Sequence, residues 1–209
     1  NAALINARLR AVGYPGQAVA TGVYRNPVDS TNVLAKVDHQ ASGRDQLSVR
    51  YSLYDVTATN ARGAGGLSAP SASSGLDNRD QAIAMSNTWT LSARTVHETR
   101  AQVAYSDLQA PSTDLVGPAV SIAGVASFGT LSGSPQERRN TMVQVVSSVA
   151  HQRGAHAVKA GVDFLHNASR IRFPRQFRGA YTFSSLANFL AGTYNNLGFT
   201  QTFGVTVVE

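Results

Sequence analysis

Five histidines, His39, His97, His151, His156 and His166, are the side chains of this 209-residue sequence that titrate nearest neutral pH, and no cysteine is present to join them. His151 and His156 flank one short turn and can approach each other, but two imidazoles with no carboxylate behind them read as rim residues, not as a metal site. Asp38, Glu98 and Asp163 offer carboxylates for acid–base work. Each has Lys36, Arg50, Arg100 or Lys159 as an available neighbour, so charge pairing across a sheet face is the expected role. Gly129-Thr130-Leu131-Ser132-Gly133 spaces its serine wrongly for a nucleophile elbow, and Gly63-Ala64-Gly65-Gly66 lacks the strand–helix setting of a phosphate loop. Asn167-Ala168-Ser169 spells a glycosylation sequon, a three-residue match that carries no catalytic chemistry. No catalytic residue, metal or cofactor is expected.

What remains is arginine. Arg170-Ile171-Arg172-Phe173-Pro174-Arg175-Gln176-Phe177-Arg178 interleaves guanidiniums with aromatics, a pattern also used on single-stranded nucleic acid. The net charge of +6 and a pI near 10.1 raise the same question. Yet Arg8, Arg44, Arg79, Arg94, Arg138, Arg139 and Arg153 are scattered singly or in pairs, so no nucleic-acid partner is expected. The run reads as a solvated or lumen-facing loop. The candidate ligand contacts are Arg170, Arg172, Arg175 and Arg178 in that loop, with Arg50 and Arg100 on strands.

The elements that must carry these residues are strands. Three times, two alternating runs meet at a turn of a few residues: Ala41-Ser42-Gly43-Arg44, Ser92-Ala93-Arg94 and Gln152-Arg153-Gly154-Ala155. The hairpins span 32–54, 81–106 and 141–166. In the first, Val33, Ala35, Val37 and His39 with Leu47, Val49, Tyr51 and Leu53 oppose Lys36, Asp38, Ser48 and Arg50. In the second, Ile83, Met85, Trp89, Leu91, Ala101, Val103 and Tyr105 form the apolar face, which Asn87 interrupts. In the third, Val143, Val145 and Val149 face Val158, Ala160, Val162 and Phe164, with Gln144, Lys159 and Asp163 on the reverse. Loops at 57–78, 107–138 and 167–180 separate the hairpins. Short turns on one rim and long loops on the other are the asymmetry of an outer-membrane barrel.

Strands of about 9–11 residues suffice to cross a bilayer at a tilt. Only 14% of residues are charged, against about 25% in ordinary soluble proteins, which suits a sheet with one apolar and one polar surround. Residues 1–31 read as an irregular lead-in with a helical turn from Leu4 to Leu9. Ser184 and Gly192 are placed to cap a short helix near 184–191, with Leu186, Phe189 and Leu190 as its apolar stripe. A last strand is expected from Phe199 to Val208. The fold class is therefore all-β: an antiparallel up-and-down meander, residues 32–209, forming part of a transmembrane β-barrel. The absence of a signal peptide, and an end inside a strand, lead to the expectation of an internal piece of a longer protein.

Several segments taken in order resemble the barrel of a TonB-dependent outer-membrane receptor of the Oar-like branch. They are Lys36-Val37-Asp38-His39, Leu47-Ser48-Val49-Arg50-Tyr51-Ser52, Asn87-Thr88-Trp89-Thr90-Leu91-Ser92, Gly154-Ala155-His156-Ala157-Val158-Lys159-Ala160-Gly161-Val162-Asp163-Phe164 and the stretch from Gly179-Ala180-Tyr181 to Gly192. Lys36 stands where such sequences often have arginine. The resemblance implies a bacterial outer-membrane location, lipid contact, uptake of an unidentified ligand, and coupling to TonB through a plug domain that these residues do not contain. Receptors of this kind close with about 22 strands, and about seven are legible here. The alternative is a soluble extracellular β-sandwich binding glycans or a protein partner, with Trp89, Tyr51, Tyr105 and Phe164 as a stacking platform.

Overall fold

The computed structural model describes every residue except 21, 64, 194–199, 203–205 and 209, and residues 200–202 and 206–208 by their strand pairing alone. Helix α1, Ala2–Ala11, is followed by the long strands β1, Val28–Ser42, β2, Asp45–Arg62, β3, Ser74–Ser92, and β4, Thr95–Ala110. Short strands β5, Ala119–Ile122, and β6, Ala126–Phe128, precede the long β7, Gln136–Arg153, and β8, His156–Phe173. Strand β9, Ala180–Phe183, helix α2, Leu186–Ala191, and strands β10, Thr200–Thr202, and β11, Thr206–Val208, complete the order. The main sheet is an open antiparallel meander, β1-β2-β3-β4-β7-β8-β11, and a four-stranded sheet, β10-β9-β5-β6, stands apart from it.

All three tight turns form where the alternation places them. Cross-strand pairs Ser42–Asp45, Ser92–Thr95 and Arg153–His156 leave two turn residues each. Gly154 supplies the left-handed conformation its turn needs, at φ 60°. The strands are longer than the bilayer requires: 15 to 19 residues for β1 to β4, β7 and β8. The stretches expected as loops at 57–78, 107–138 and 167–180 therefore begin and end as sheet, and residues 167–173 are wholly strand. Their polar residues break the apolar alternation without breaking the ladder, because backbone pairing continues above the membrane level.

Cross-strand register makes the two faces explicit. On one, the row Val37–Val49–Met85–Ala101–Val145–Phe164 lies beside the row Ala35–Tyr51–Ile83–Val103–Val143–His166. On β8 this face carries Val158, Ala160, Val162, Phe164, His166 and Ala168 before the first charge, Arg170. Ten residues at ~3.4 Å each, tilted ~40°, make a band about 26 Å tall, close to the apolar height of outer-membrane barrels. These side chains have no protein cover: Val162 is 72% exposed and Phe164 61%. Among the described residues no second sheet packs on this face, so the sandwich architecture is not the one observed, and the apolar surface is left for lipid.

The buried core lies elsewhere. Ile5 and Leu9 of α1, Val120, Ile122, Ala126 and Phe128 of the β5–β6 hairpin, Phe183 of β9 and Phe189 of α2 close on one another beyond the long-loop rim. Phe189 meets Phe128 and Phe183 edge to face, with centroids 6.0 and 5.2 Å apart. Residues 1–31 thus begin with a full helix docked into this cap, where a single turn was expected. The cap of α2 falls on Ser185, whose Oγ accepts from Asn188 N at 3.1 Å, one residue later than expected, and Gly192 ends the helix at φ 65°. The expected last strand from Phe199 to Val208 is two three-residue strands in different sheets, and positions 199 and 203–205 lie outside the described residues.

Candidate functional site

The face opposite the apolar band is where the mid-height charges gather. One row reads Lys36–Arg50–Ala84–Gln102–Gln144, and the next reads Asp38–Ser48–Ser86–Arg100–Val146–Asp163. Period-two alternation forces this separation, since a side chain one residue away points to the other face. The small residues Ala84 and Ser86 of β3 leave space between the longer side chains of β2 and β4. The result is a shallow trough of about 700 Å³ lined by Lys36, Asp38, Arg50, Arg100, Gln102 and Gln144 among others.

Charge within the trough is largely paired. Lys36 Nζ donates to Asp38 Oδ2 at 2.8 Å, and Lys159 Nζ donates to Glu98 Oε2 at 3.2 Å. Arg100 Nη2 lies 3.9 Å from the same Glu98 oxygen, and Gln144 Nε2 donates to both carboxylate oxygens of Asp163 at 3.0 and 3.1 Å. Arg50 has no ion-pair partner among the described residues. Its guanidinium keeps its donors for water or a ligand. Gln102 and Gln144, which alternation already assigns to the polar face, were not named as ligand contacts from sequence, although they share the Arg50 row.

The six candidate arginines do not form one site. Arg50 and Arg100 share the trough. Arg170 and Arg172 are strand residues on the opposite, apolar-band face, cross-strand from Arg139 and Glu137 respectively. Arg175 and Arg178 alone sit in the loop after β8, stacked on Phe173 and Phe177 at 5.5 and 5.1 Å from the ring centroids. That loop is tied down by Gln176 N donating to Ser132 O at 3.0 Å.

The histidines follow their faces as well. His97 Nε2 is 3.0 Å from Ser147 Oγ, and His151 Nδ1 is 2.9 Å from Thr95 Oγ1. Among the described residues no three His, Asp or Glu side chains come together as a metal-holding group. Asn87, which interrupts the apolar alternation, donates to Asp45 Oδ1 at 2.5 Å near the tight-turn rim, so its amide is satisfied there. Trp89 sits toward that rim and Tyr105 at the upper border of the band, while Tyr51 and Phe164 lie within it.

Comparison with known proteins agrees with this geometry. A family model described as an outer membrane beta barrel domain matches residues 7–207. No curated protein and no solved structure matches the chain.

Proposed function

Since this chain belongs to the outer membrane beta barrel domain family, whose place is the bacterial outer membrane, we propose that its sheet is wall of a TonB-dependent uptake receptor. The observation that supports this reading is the confinement of mid-height charge to one face. Lys36, Asp38, Arg50, Glu98, Arg100, Lys159 and Asp163 all lie on the trough face, while among the described residues the reverse face at the same height carries a single charged side chain, Asp45 near the tight-turn rim, which accepts from Asn87. A lumen that conducts a polar ligand needs the first, and lipid needs the second. The ordered resemblance of residues 36–192 to Oar-like receptors adds the TonB coupling. In this reading transport involves no covalent step, the imported ligand meets Arg50 and Arg100, and TonB engages a plug outside these residues.

A receptor and an open pore differ in conductance. The full-length protein, inserted into planar bilayers in potassium chloride, is expected to stay closed because a plug fills the lumen. A steady open channel overturns the receptor reading in favour of a passive pore. Removal of TonB from the host is expected to abolish uptake through a receptor and to leave a pore untouched.

A further inference from the structure

Above the trough, on the same face and nearer the long loops, one row reads Asn32–Tyr54–Asp80–Ser106–Asn140–Ser169. Its carboxylate differs from the others on this face. Lys36 holds Asp38 and Lys159 holds Glu98, whereas Asp80 accepts only from the Asn78 amide, Nδ2 to Oδ2 at 2.8 Å, and has no cation among the described residues. Tyr54 is its direct cross-strand partner, so an aromatic ring stands beside the unpaired carboxylate. The side chains of Asn32, Tyr54 and Asn140 make no hydrogen bond among the described residues. These groups surround a groove of about 300 Å³ floored by Ala82 and Ala104. Two rows deeper on β3, Ala84 lies beside Arg50, the guanidinium without an ion pair, and lines the trough. A strip of small side chains therefore joins an unpaired anion to an unpaired cation.

We propose that this strip binds a short zwitterionic peptide in extended form, its terminal ammonium at Asp80 and Tyr54 and its terminal carboxylate at Arg50. The proposal rests on reading this face as the lumen of an uptake receptor, and it names the class of ligand. Charge sets the two ends. A carboxylate beside a phenol ring attracts an ammonium by ion pairing and by the ring face, and a guanidinium takes a carboxylate through paired N–H donors. Spacing sets the length. Four residues along β3 at ~3.4 Å and one strand across at ~4.8 Å put the Cα atoms of Asp80 and Arg50 about 14 Å apart. An extended peptide advances by about 3.3–3.6 Å per residue, so four residues cover that span and two do not. Asn32 and Asn140 offer amide donors and acceptors to the peptide backbone in between. Arg138 is also unpaired on this face, but it stands one row nearer the rim and two strands from Asp80, off the strip.

The full-length protein, purified in mild detergent, is titrated calorimetrically with tetraalanine. N-acetyl-tetraalanine and tetraalanine amide, each lacking one terminal charge, are expected to bind at least about tenfold more weakly, as is dialanine, which covers half the span. Two variants assign the ends. D80N is expected to weaken tetraalanine about tenfold and to leave the affinity for the N-acetyl peptide unchanged. R50Q is expected to weaken tetraalanine similarly and to leave the affinity for the amide unchanged. R138Q, which removes a charge from the same face away from the strip, is expected to match the parent. Equal binding of free and capped peptides overturns the proposal. So does an effect of D80N or R50Q that ignores which terminus is capped, or a loss in R138Q as large as theirs. Gel migration with and without heating reports whether each protein is a folded barrel. A closed, TonB-dependent receptor that does not bind tetraalanine defeats the peptide site alone. A steady open channel whose binding follows the termini keeps the site and defeats the receptor reading, and a parent that never shows the folded form defeats both.

Discussion

Val145 and Gln144 are chain neighbours that meet different solvents. Val145 stands in the row with Met85 and Phe164 on the apolar face, while Gln144 lies in the trough and donates to Asp163. Val145→Arg is expected to cost the membrane-inserted full-length protein about 2–4 kcal/mol in a urea titration, because a guanidinium at band height faces lipid. Gln144→Arg is expected to be near neutral, since its new charge finds Asp163. Equal costs for the two would contradict the assignment of faces. In the cap, burial first and the nearby Asp114 carboxylate second push the Tyr14 phenol well up from its ordinary value. Its hydroxyl donates to Pro118 O at 3.3 Å. The unfolded chain releases this proton at about pH 10. The cap is therefore fully stabilised below about pH 10 and loses stability as pH rises toward the folded-state value. Ultraviolet titration of the phenolates should find one of the seven tyrosines ionising only as the cap unfolds. Tyr14→Phe should remove that alkaline loss, and a Tyr14 that ionises normally in an intact cap would contradict it.

At the scale of elements the molecule has two kinds of stability. The long strands hold by backbone pairing and lipid, whereas α1, β5, β6, β9 and α2 hold by a conventional buried core. Phe128, 1% exposed, touches both Tyr14 and Phe189 edge to face, so Phe128→Ala is expected to cost the cap about 3–5 kcal/mol. Limited proteolysis should then cut within 112–135 while the meander β1–β4 stays protected; cuts within β2 or β3 instead would show that cap and wall unfold together. The strands and turns were legible in the sequence because their signals are local: alternation over a few residues, and Gly43, Arg94 or Gly154 between two runs. Their full length was not, because Asp55, Arg79, Asp107 and Arg139 look like loop residues when only apolar alternation is followed. The cap was illegible for a different reason. Its core joins residues 5–9, 120–128 and 183–189, and no pattern within any one of these segments announces the others. The trough arginines Arg50 and Arg100 followed from face alternation, while Arg170 and Arg172 required the strand to continue through Phe173.

On the scale of the whole molecule, the main sheet ends in open edges. Every residue of β1 is exposed, and among the described residues β8 pairs with β11 over Ile171–Phe173, while its run from His156 to Ser169 has no strand beside it on that side. Such edges recruit further strands. Expressed by itself in detergent, the 209-residue chain is expected to associate edge to edge. Since the chain has no cysteine of its own, A35C and A160C on the two edges provide a clean test. Oxidation is expected to yield covalent dimers and higher species, and a strictly monomeric product would show that the edges are blunted. The register between neighbouring strands shifts only at Gln40/Ser42, Ala58/Arg62 and Thr90/Ser92, all at the rims, so the band itself is free of bulges. That regularity gives the wall an arithmetic. Adding one residue to a strand inside the band would turn every side chain beyond it from lipid to lumen, while adding two would keep each facing and merely lift the strand by one row. Over time, such a wall can change its height only in even steps, and its loops are where odd ones accumulate.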